Sequence, residues 1–282
     1  MILGIHGPVV NGFAAALRLA AGLGCQALQM LPTRRHHEPA EEEIRAFREE
    51  RASGPVRRLL IHSRFVPNLA SSDPLRRKRS VELFSREIAL ASRWGAEAYV
   101  IHGGAYSPGA RLAEGARLFA DGITEALSRA QVPIRILLEN VPGGGRRMGA
   151  SLEELGELVS AIQTRLPASG VGACLDTAHA WAAGYDIALA EGMLRFLSRV
   201  HRLLGAERVQ AFHVNDTRAL LGSHREHHAN WGEGFLGSEG IQVLLERPEY
   251  ELALGILETP PGQDRRNLDY LRSLSKSSKS RS

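Results

Sequence analysis

Apolar residues along this chain alternate between two spacings: short continuous runs, and longer stretches in which they recur every three or four positions. Ile2 to His6 is the first run, and Phe13 to Leu23 follows with helical spacing. Ala27 to Leu31 precedes a helix rich in Glu and Arg over Glu41 to Arg51. Leu59-Leu60-Ile61 precedes a long amphipathic helix, Pro74 to Trp94, with Asp73 placed as its cap and Pro74 at its first position. Ala98 to Ile101 is followed by a helix over Ala110 to Ala130. Ile134 to Leu138 is followed by Ser151-Leu152-Glu153-Glu154, a capping box that opens a helix to about Leu166. Val171 to Leu175 pairs with a helix over Ile187 to Leu204, Val209 to Phe212 with Ser238 to Arg247, and Leu252 to Leu257 with Arg265 to Leu274. Eight strands and eight helices in strict alternation predict an α/β fold, a single (β/α)8 TIM barrel over residues 1–272. Residues 273–282, dominated by Ser, Lys and Arg, are expected to form a disordered basic tail.

Polar residues end six of these runs: His62, His102, Glu139, Asp176, His213 and Glu258. In a barrel of parallel strands the C-terminal ends converge on one small area, where active sites sit. Three further candidates lie just beyond strands. His179 follows Asp176 by three residues, which lets both face the same opening. The long segment after strand seven, Gly222 to Gly234, carries three His and two Glu. Within it Glu226 and His228 are two apart, so they point the same way if the stretch is extended. Taken singly, each has a plain structural role: Asp176 can cap a helix, His62 can bond to backbone, and Glu139 or Glu258 can form an ion pair in the barrel mouth. Six such positions together point to a multi-metal hydrolytic centre of imidazoles and hard oxygens. Phe65-Val66, just after His62, is an apolar pair at a rim that should face water, either core under the loop or a wedge for a partner. Neither a phosphate-binding Gly-x-x-x-x-Gly-Lys-Ser/Thr loop nor a dinucleotide-binding glycine fingerprint is present.

Composition narrows the setting. Hydrophobic residues make up 44% of the 282, ample for one large core. No apolar run approaches the ~18 residues of a membrane span, and Met1 to His6 enters a strand-like run without a signal-peptide pattern. Cys25 and Cys174 sit in apolar surroundings, so free buried thiols and a cytoplasmic location are expected. The net charge is +4, and lysine occurs only at 78, 276 and 279. An arginine-borne charge suits phosphate contacts and gives modest support for a polyanionic partner.

These residues resemble the endonuclease IV family of apurinic/apyrimidinic (AP) endonucleases, a metal-dependent branch of the xylose-isomerase-like barrels. The resemblance runs from Gly4-Ile5-His6 to Ile256-Leu257-Glu258-Thr259. It is most specific at Leu175 to Asp186, at the Gly222 to Gly234 loop and at Phe65 to Leu69. It implies three zinc ions, with manganese a possible substitute. The first would be held by His62, His102 and Glu139, the second by Glu139, Asp176, His213 and Glu258, and the third by His179, Glu226 and His228. The family's usual residue at position 226 is Asp, so the longer Glu226 makes the third site the weakest expectation. The resemblance also implies hydrolysis of the phosphodiester 5′ to an abasic site, with Glu139 and Glu258 catalytic, and trimming of blocked 3′ ends. The partner would be double-stranded DNA contacted by Arg35, Phe65, Val66 and Asn68, and the protein a monomer. Two other readings remain at this point: a metal-dependent sugar isomerase or epimerase on the same barrel, and a DNA-binding module without chemistry.

Overall fold

Runs of apolar residues become strands here because each is buried on both faces, as a parallel sheet requires. The computed structural model of the protein describes residues 1–34, 37–63, 67–166 and 170–276. Its strands are β1 (Ile2–His6), β2 (Ala27–Met30), β3 (Arg58–His62), β4 (Ala98–His102), β5 (Arg135–Glu139), β6 (Val171–Asp176), β7 (Val209–His213), the hairpin pair β8 (Asp216–Thr217) and β9 (His228–Ala229), and β10 (Leu254–Leu257). The helices are α1 (Phe13–Gly22), α2 (Glu41–Ser53), α3 (Pro74–Arg93), α4 (Leu112–Ala130), α5 (Leu152–Gln163), α6 (Thr177–Ala182), α7 (Ala190–Leu203), α8 (Glu239–Glu246) and α9 (Asp264–Lys276). The eight long strands close in the order β1-β10-β7-β6-β5-β4-β3-β2, all parallel, with helices between them. This is the (β/α)8 barrel that the sequence predicts.

The strand period of two sets what faces the barrel axis. A distinct inner cluster holds Ala27, Leu60, Val100, Leu137, Cys174, Ala211 and Ile256, one from each of seven strands, with Ile2 of β1 packed against it. Two residues further along from each of the seven, on the same face and one layer up, stand Gln29, His62, His102, Glu139, Asp176, His213 and Glu258. The alternation on β1 brings His6 to the same layer. An apolar plug fills the barrel, and a complete polar layer caps its C-terminal mouth. The larger outer core, around Trp94, Phe84, Phe119 and Phe212, fills the space between sheet and helices.

Register brings the polar layer into contact. His102 lies opposite Glu139 across β4 and β5, and Asp176 lies opposite His213 across β6 and β7. The second pairing depends on a bulge. Ala173 pairs with Val209, but Cys174 pairs with Ala211, so one residue of β7 is skipped. Without that skip Asp176 would face Phe212.

Several elements differ from the sequence reading. A short helix, α6, starts at the end of β6 and precedes α7; its six residues are too few to show a period. Asp176 caps it, with Oδ1 accepting from the His179 amide at 2.7 Å. Asp73 caps α3 as expected. Ser151 caps α5, while the Glu154 carboxylate reaches past it to the amides of Gly149 and Ala150. The α9 helix extends to Lys276, four residues into the segment expected as tail; residues 277–282 lie outside the described residues. Cys25 and Cys174 are free and buried, and burial pushes each thiol up to about 11. No helix among the described residues is long and apolar enough to cross a membrane.

The long connection from β7 to α8 is held by one buried carboxylate. Asp216 accepts from the amides of Thr217 (2.8 Å), Gly232 (3.1 Å), Gly234 (2.9 Å) and Leu236 (3.1 Å), and so folds the segment into the β8–β9 hairpin that carries His228. A Cβ on Gly234 would fall 2.3 Å from Asp216 Oδ1, so the turn needs glycine there. Orphaning buried amides costs about 1–3 kcal/mol each. Because part of the loop can relax toward water, Asp216→Ala is expected to destabilise the fold by roughly 3 kcal/mol, a drop of about 6–12 °C in a thermal melt. A melt unchanged from the parent would refute this account of the loop.

Candidate metal centre

Glu139 is the hub of the polar layer. It is 1% exposed. Its Oε2 lies 2.9 Å from His62 Nε2 and 3.0 Å from His102 Nε2. Its Oε1 lies 3.0 Å from His213 Nδ1 and 3.2 Å from His179 Nδ1. Glu258 stands at the mouth, with Oε1 accepting from Gln29 Nε2 at 2.7 Å and lying 3.2 Å from His6 Nδ1. Its Oε2 lies 3.2 Å from His213 Nδ1. Asp176 divides its two oxygens: Oδ1 caps α6, while Oδ2 accepts from Asn215 Nδ2 at 2.7 Å and lies 3.8 Å from both His213 Nδ1 and His228 Nε2. Cap and candidate ligand are therefore the same residue.

Four of the imidazoles have one nitrogen held from outside, which fixes the role of the other. His62 Nδ1 donates to the Ser63 carbonyl at 2.9 Å, His179 Nδ1 to the Asn140 carbonyl at 2.9 Å, and His228 Nδ1 to the Glu258 carbonyl at 3.0 Å. A carbonyl only accepts, so in each ring Nδ1 carries a proton, and Nε2 is the nitrogen that can give up its own proton and present a lone pair to a cation. For His213 the order is reversed. The Gln29 atom against the Glu258 carboxylate must be its amide nitrogen, so its oxygen faces His213 Nε2 at 3.0 Å and accepts from it. Nδ1 of His213 is then the inward nitrogen, able to present a lone pair to a cation once its proton leaves. This is how ligating histidines are oriented in metal sites.

The fit to cations follows from what these lone pairs lack. His179 Nε2 and His228 Nε2 are buried and have no hydrogen-bond partner among the described residues. Orphaned buried nitrogens are uncommon and costly. Ligand atoms converge within 4.8 Å in four overlapping groups: His62, His102 and Glu139; His62, His213 and Glu258; Glu139, Asp176, His213 and Glu258; and Asp176, His179 and His228. Imidazole and carboxylate donors without thiolate suit zinc, manganese or iron.

The electrostatics show the same demand for positive charge. Burial alone would raise the Glu139 carboxyl, but His213 and His102 hold it well below the usual range. Glu258 follows the same pattern, raised by burial and pulled well below by His213 and His6. Burial disfavours the charged imidazoles of His179 and His213, yet the acidic groups around them push both well above the ordinary value. Asp176 and Glu139 act on the first, and Cys174, Glu139 and Glu258 on the second. His62 is raised too, against its own burial, by Glu139. Protons on the rings thus fill the role a divalent cation would fill.

All nine candidate ligands border this centre, but Glu226 sits apart. Its side chain is 54% exposed, with Oε2 3.6 Å from His179 Nε2 and Oε1 4.0 Å from His228 Nε2. Asp176, not Glu226, completes the tight triad with these histidines. The open cavity of about 340 Å³ over the centre is lined by His6, His62, His102, Glu139, His179, Glu226, His228, Glu258 and Thr259. Asn68 lies beside it, accepting from the Ala105 amide at 3.3 Å, on a second cavity of about 290 Å³ that includes His102 and Arg147. Arg35, Phe65 and Val66 lie outside the described residues. Sequence reasoning missed His6 and Gln29, although both occupy the inward parity that marks the ligands on the other strands. It also missed Asn215, whose side chain donates to Asp176 and accepts from the Glu258 amide at 2.8 Å, and Asn140, whose Oδ1 accepts from the Asp176 amide at 2.6 Å.

Comparison with known proteins places the chain among relatives. A family model described as a xylose isomerase-like TIM barrel matches residues 17–274. A protein of Solibacter usitatus described as a probable endonuclease 4 is 38% identical over 286 residues, covering 97% of this chain and 97% of its own length. One from Nitratidesulfovibrio vulgaris with the same description is 34% identical, covering 98% and 99%. Among solved structures, endonuclease IV from Thermus thermophilus superposes with a TM-score of 0.84 at 31% identity, covering 98% of this chain and 100% of that one. A D-tagatose 3-epimerase-like protein superposes with a TM-score of 0.78, but at 20% identity it shares the fold alone.

Proposed function

Because the chain belongs to the endonuclease IV family of xylose isomerase-like barrels, we propose that it is a metal-dependent AP endonuclease of DNA repair. It cleaves the phosphodiester 5′ to an abasic site, leaves a 3′-hydroxyl and a 5′-deoxyribose phosphate, and trims blocked 3′ ends. The observation that carries the metal dependence is the set of four imidazoles whose outer nitrogens are fixed and whose inner nitrogens converge on carboxylates. His62, His102 and Glu139 would hold one ion, Glu139, Asp176, His213 and Glu258 a second, and His179, His228 and Glu226 a third, with zinc favoured. When bound, such ions neutralise the phosphate's charge and generate a nucleophile from water at neutral pH.

The chain's own residues supply the rest. Glu139 contributes an oxygen to each side of the centre and remains anionic, so it can be shared between two neighbouring ions. Glu258, fixed at Oε1 by Gln29, orients the attacking water at the cavity mouth. Asn215 ties the Asp176 carboxylate to the Glu258 backbone and so keeps the ends of β6 and β10 in register. The DNA contacts are proposed for Asn68 on the rim and for Arg35, Phe65 and Val66. An abasic nucleotide lacks stacking and leaves the helix at lower cost than a normal one. The protein is proposed to act as a monomer in the cytoplasm. The sugar isomerase reading is not favoured, because the epimerase-like neighbours share the fold alone.

The direct test is incision of a duplex with a single abasic site, resolved by product length and end chemistry. Cleavage on the 5′ side that a chelator stops and zinc restores is the expected outcome; an intact duplex under zinc would overturn the reading. Phosphate contacts by arginine also make incision salt-dependent. Observed affinity is expected to fall with slope about −0.9 per phosphate neutralised on a log–log plot of binding against salt. A flat profile would remove the phosphate contacts from the account.

A further inference from the structure

Only two non-glycine residues among those described have a positive φ, Gln131 at 52° and His224 at 57°. Gln131 ends α4, where the left-handed conformation is ordinary. His224 has no helix end to close. It sits in the β8–β9 connection, and strain of this kind persists only where surrounding contacts hold it. Two bonds do so. The His224 amide donates to the Ala182 carbonyl at 2.9 Å. Its ring Nδ1 donates to the Pro142 carbonyl at 2.8 Å. The fit is close on the far side, since a Cβ on Gly143 would lie 2.8 Å from that same Nδ1.

Each bonded segment carries a candidate ligand. Ala182 ends α6, which bears His179. Pro142 lies three residues beyond Glu139, and His224 itself lies two before Glu226 and four before His228. We propose that His224 is a positioning residue: its strained backbone and its ring clamp the β5, β6 and β7 loops together and so set the outer, His179–Glu226–His228 group for a cation. The proposal rests on reading this centre as metal-binding. It assigns His224 no ligand role, because the nitrogen used in the clamp is Nδ1. The clamp suits a site whose acidic member is half exposed and would otherwise be free to swing. Other bonds keep the loop folded without it, among them Gly222 N to Trp181 O at 3.1 Å and Trp181 Nε1 to Ala219 O at 2.9 Å.

The test is titration of metal-stripped protein with zinc alone, in competition with a chromophoric chelator, so that each equivalent is resolved without substrate. His224→Ala removes the ring. His224→Gly removes it while relieving the backbone. His224→Asn keeps both features of the clamp, because Asn tolerates positive φ and its Nδ2 occupies the place of Nδ1. It has no counterpart of Nε2. The alanine and glycine variants are expected to release their weakest zinc roughly 10–100-fold more readily, with the tighter equivalents unmoved, and asparagine is expected to restore the parent's behaviour. Unchanged affinity in His224→Ala would overturn the proposal, as would affinity restored by glycine, which would leave the ring no part. An asparagine variant as weak as alanine would also overturn it, by assigning the function to Nε2. Simultaneous loss of every equivalent would show a general structural role instead. A parent protein that binds no zinc would overturn the metal-binding reading itself, and that arm separates the two failures.

Discussion

Glu139→Gln is expected to abolish incision, with a loss on the order of 10³-fold or more, the scale of removing one essential electrostatic group from a preorganised site. The substitution keeps volume and shape, so the barrel should fold. What changes is donor chemistry. Both Glu139 oxygens are in use, Oε2 toward His62 and His102 and Oε1 toward His213 and His179. An amide offers one oxygen and turns an N–H toward the other pair, where a lone pair is needed. It also removes a charge that the neighbouring rings hold in its anionic form despite complete burial. Metal analysis should show fewer equivalents than in the parent, while circular dichroism is unchanged. Turnover within about tenfold of the parent would sink the assignment of Glu139 as the shared ligand. Glu258→Gln provides the contrast. Its carboxylate is 16% exposed, bonded to Gln29 and proposed to serve one ion rather than two, so its loss should cost less metal than Glu139→Gln while still impairing rate.

The barrel was legible because its signal is repeated. Each strand is an apolar run ended by a polar residue, and one misjudged boundary leaves the alternation intact. Strand ends at His62, His102, Glu139, Asp176 and His213 fall where the sequence puts them, since the period of two forces the residue after an inward apolar one to face outward and the next to face in. The same rule should have found His6 and Gln29. Gln29 is hidden because it lies between Leu28 and Met30 inside its strand, whereas His6 ends the first run and carries the signal openly. The α6 helix and the β8–β9 hairpin were not legible for a different reason. Both are too short for periodicity, and both are fixed by single polar residues, Asp176 and Asp216, whose bonds are made to backbone amides.

Ligand geometry was legible in identity but not in grouping. The sequence offered Glu226 and His228 as a pair on one side of an extended stretch. In the fold His228 stands in β9 and Glu226 is half exposed, 3.6 Å from His179 and 4.0 Å from His228, while the buried Asp176 joins the same two histidines in one converging group. The bulge opposite Ala173 and Cys174 sets another part of the grouping, by bringing His213 rather than Phe212 opposite Asp176, and no residue type at that position announces a bulge.

Removing the metal is expected to lower stability by an amount that grows with pH. Several coordinating sites occupied at about 100 to 1,000 times their dissociation constant would each contribute about 3–4 kcal/mol, so stripping the centre should reduce the melting temperature by roughly 10 °C or more. The sign with pH follows from the shifts. His62, His179 and His213 are raised in the folded, metal-free chain. Their stabilisation is fully present below the ordinary imidazole value of about 6.5 and is lost as pH rises through the raised values. Glu139 and Glu258 are depressed, so their contribution is present above the ordinary carboxylate range and is lost only in acid. Between the ordinary imidazole value of about 6.5 and the raised values the carboxylates therefore contribute a constant, and the stripped protein weakens as pH rises. The loaded protein does the opposite, since a cation competes with those same protons and binds more tightly as they leave. The gap between loaded and stripped melting temperatures should widen across this window, and zinc addition at the lower pH should release protons measurable in a weakly buffered solution. A gap that narrows with rising pH would mean that the converging imidazoles do not bind the cation through the nitrogens the fold turns inward.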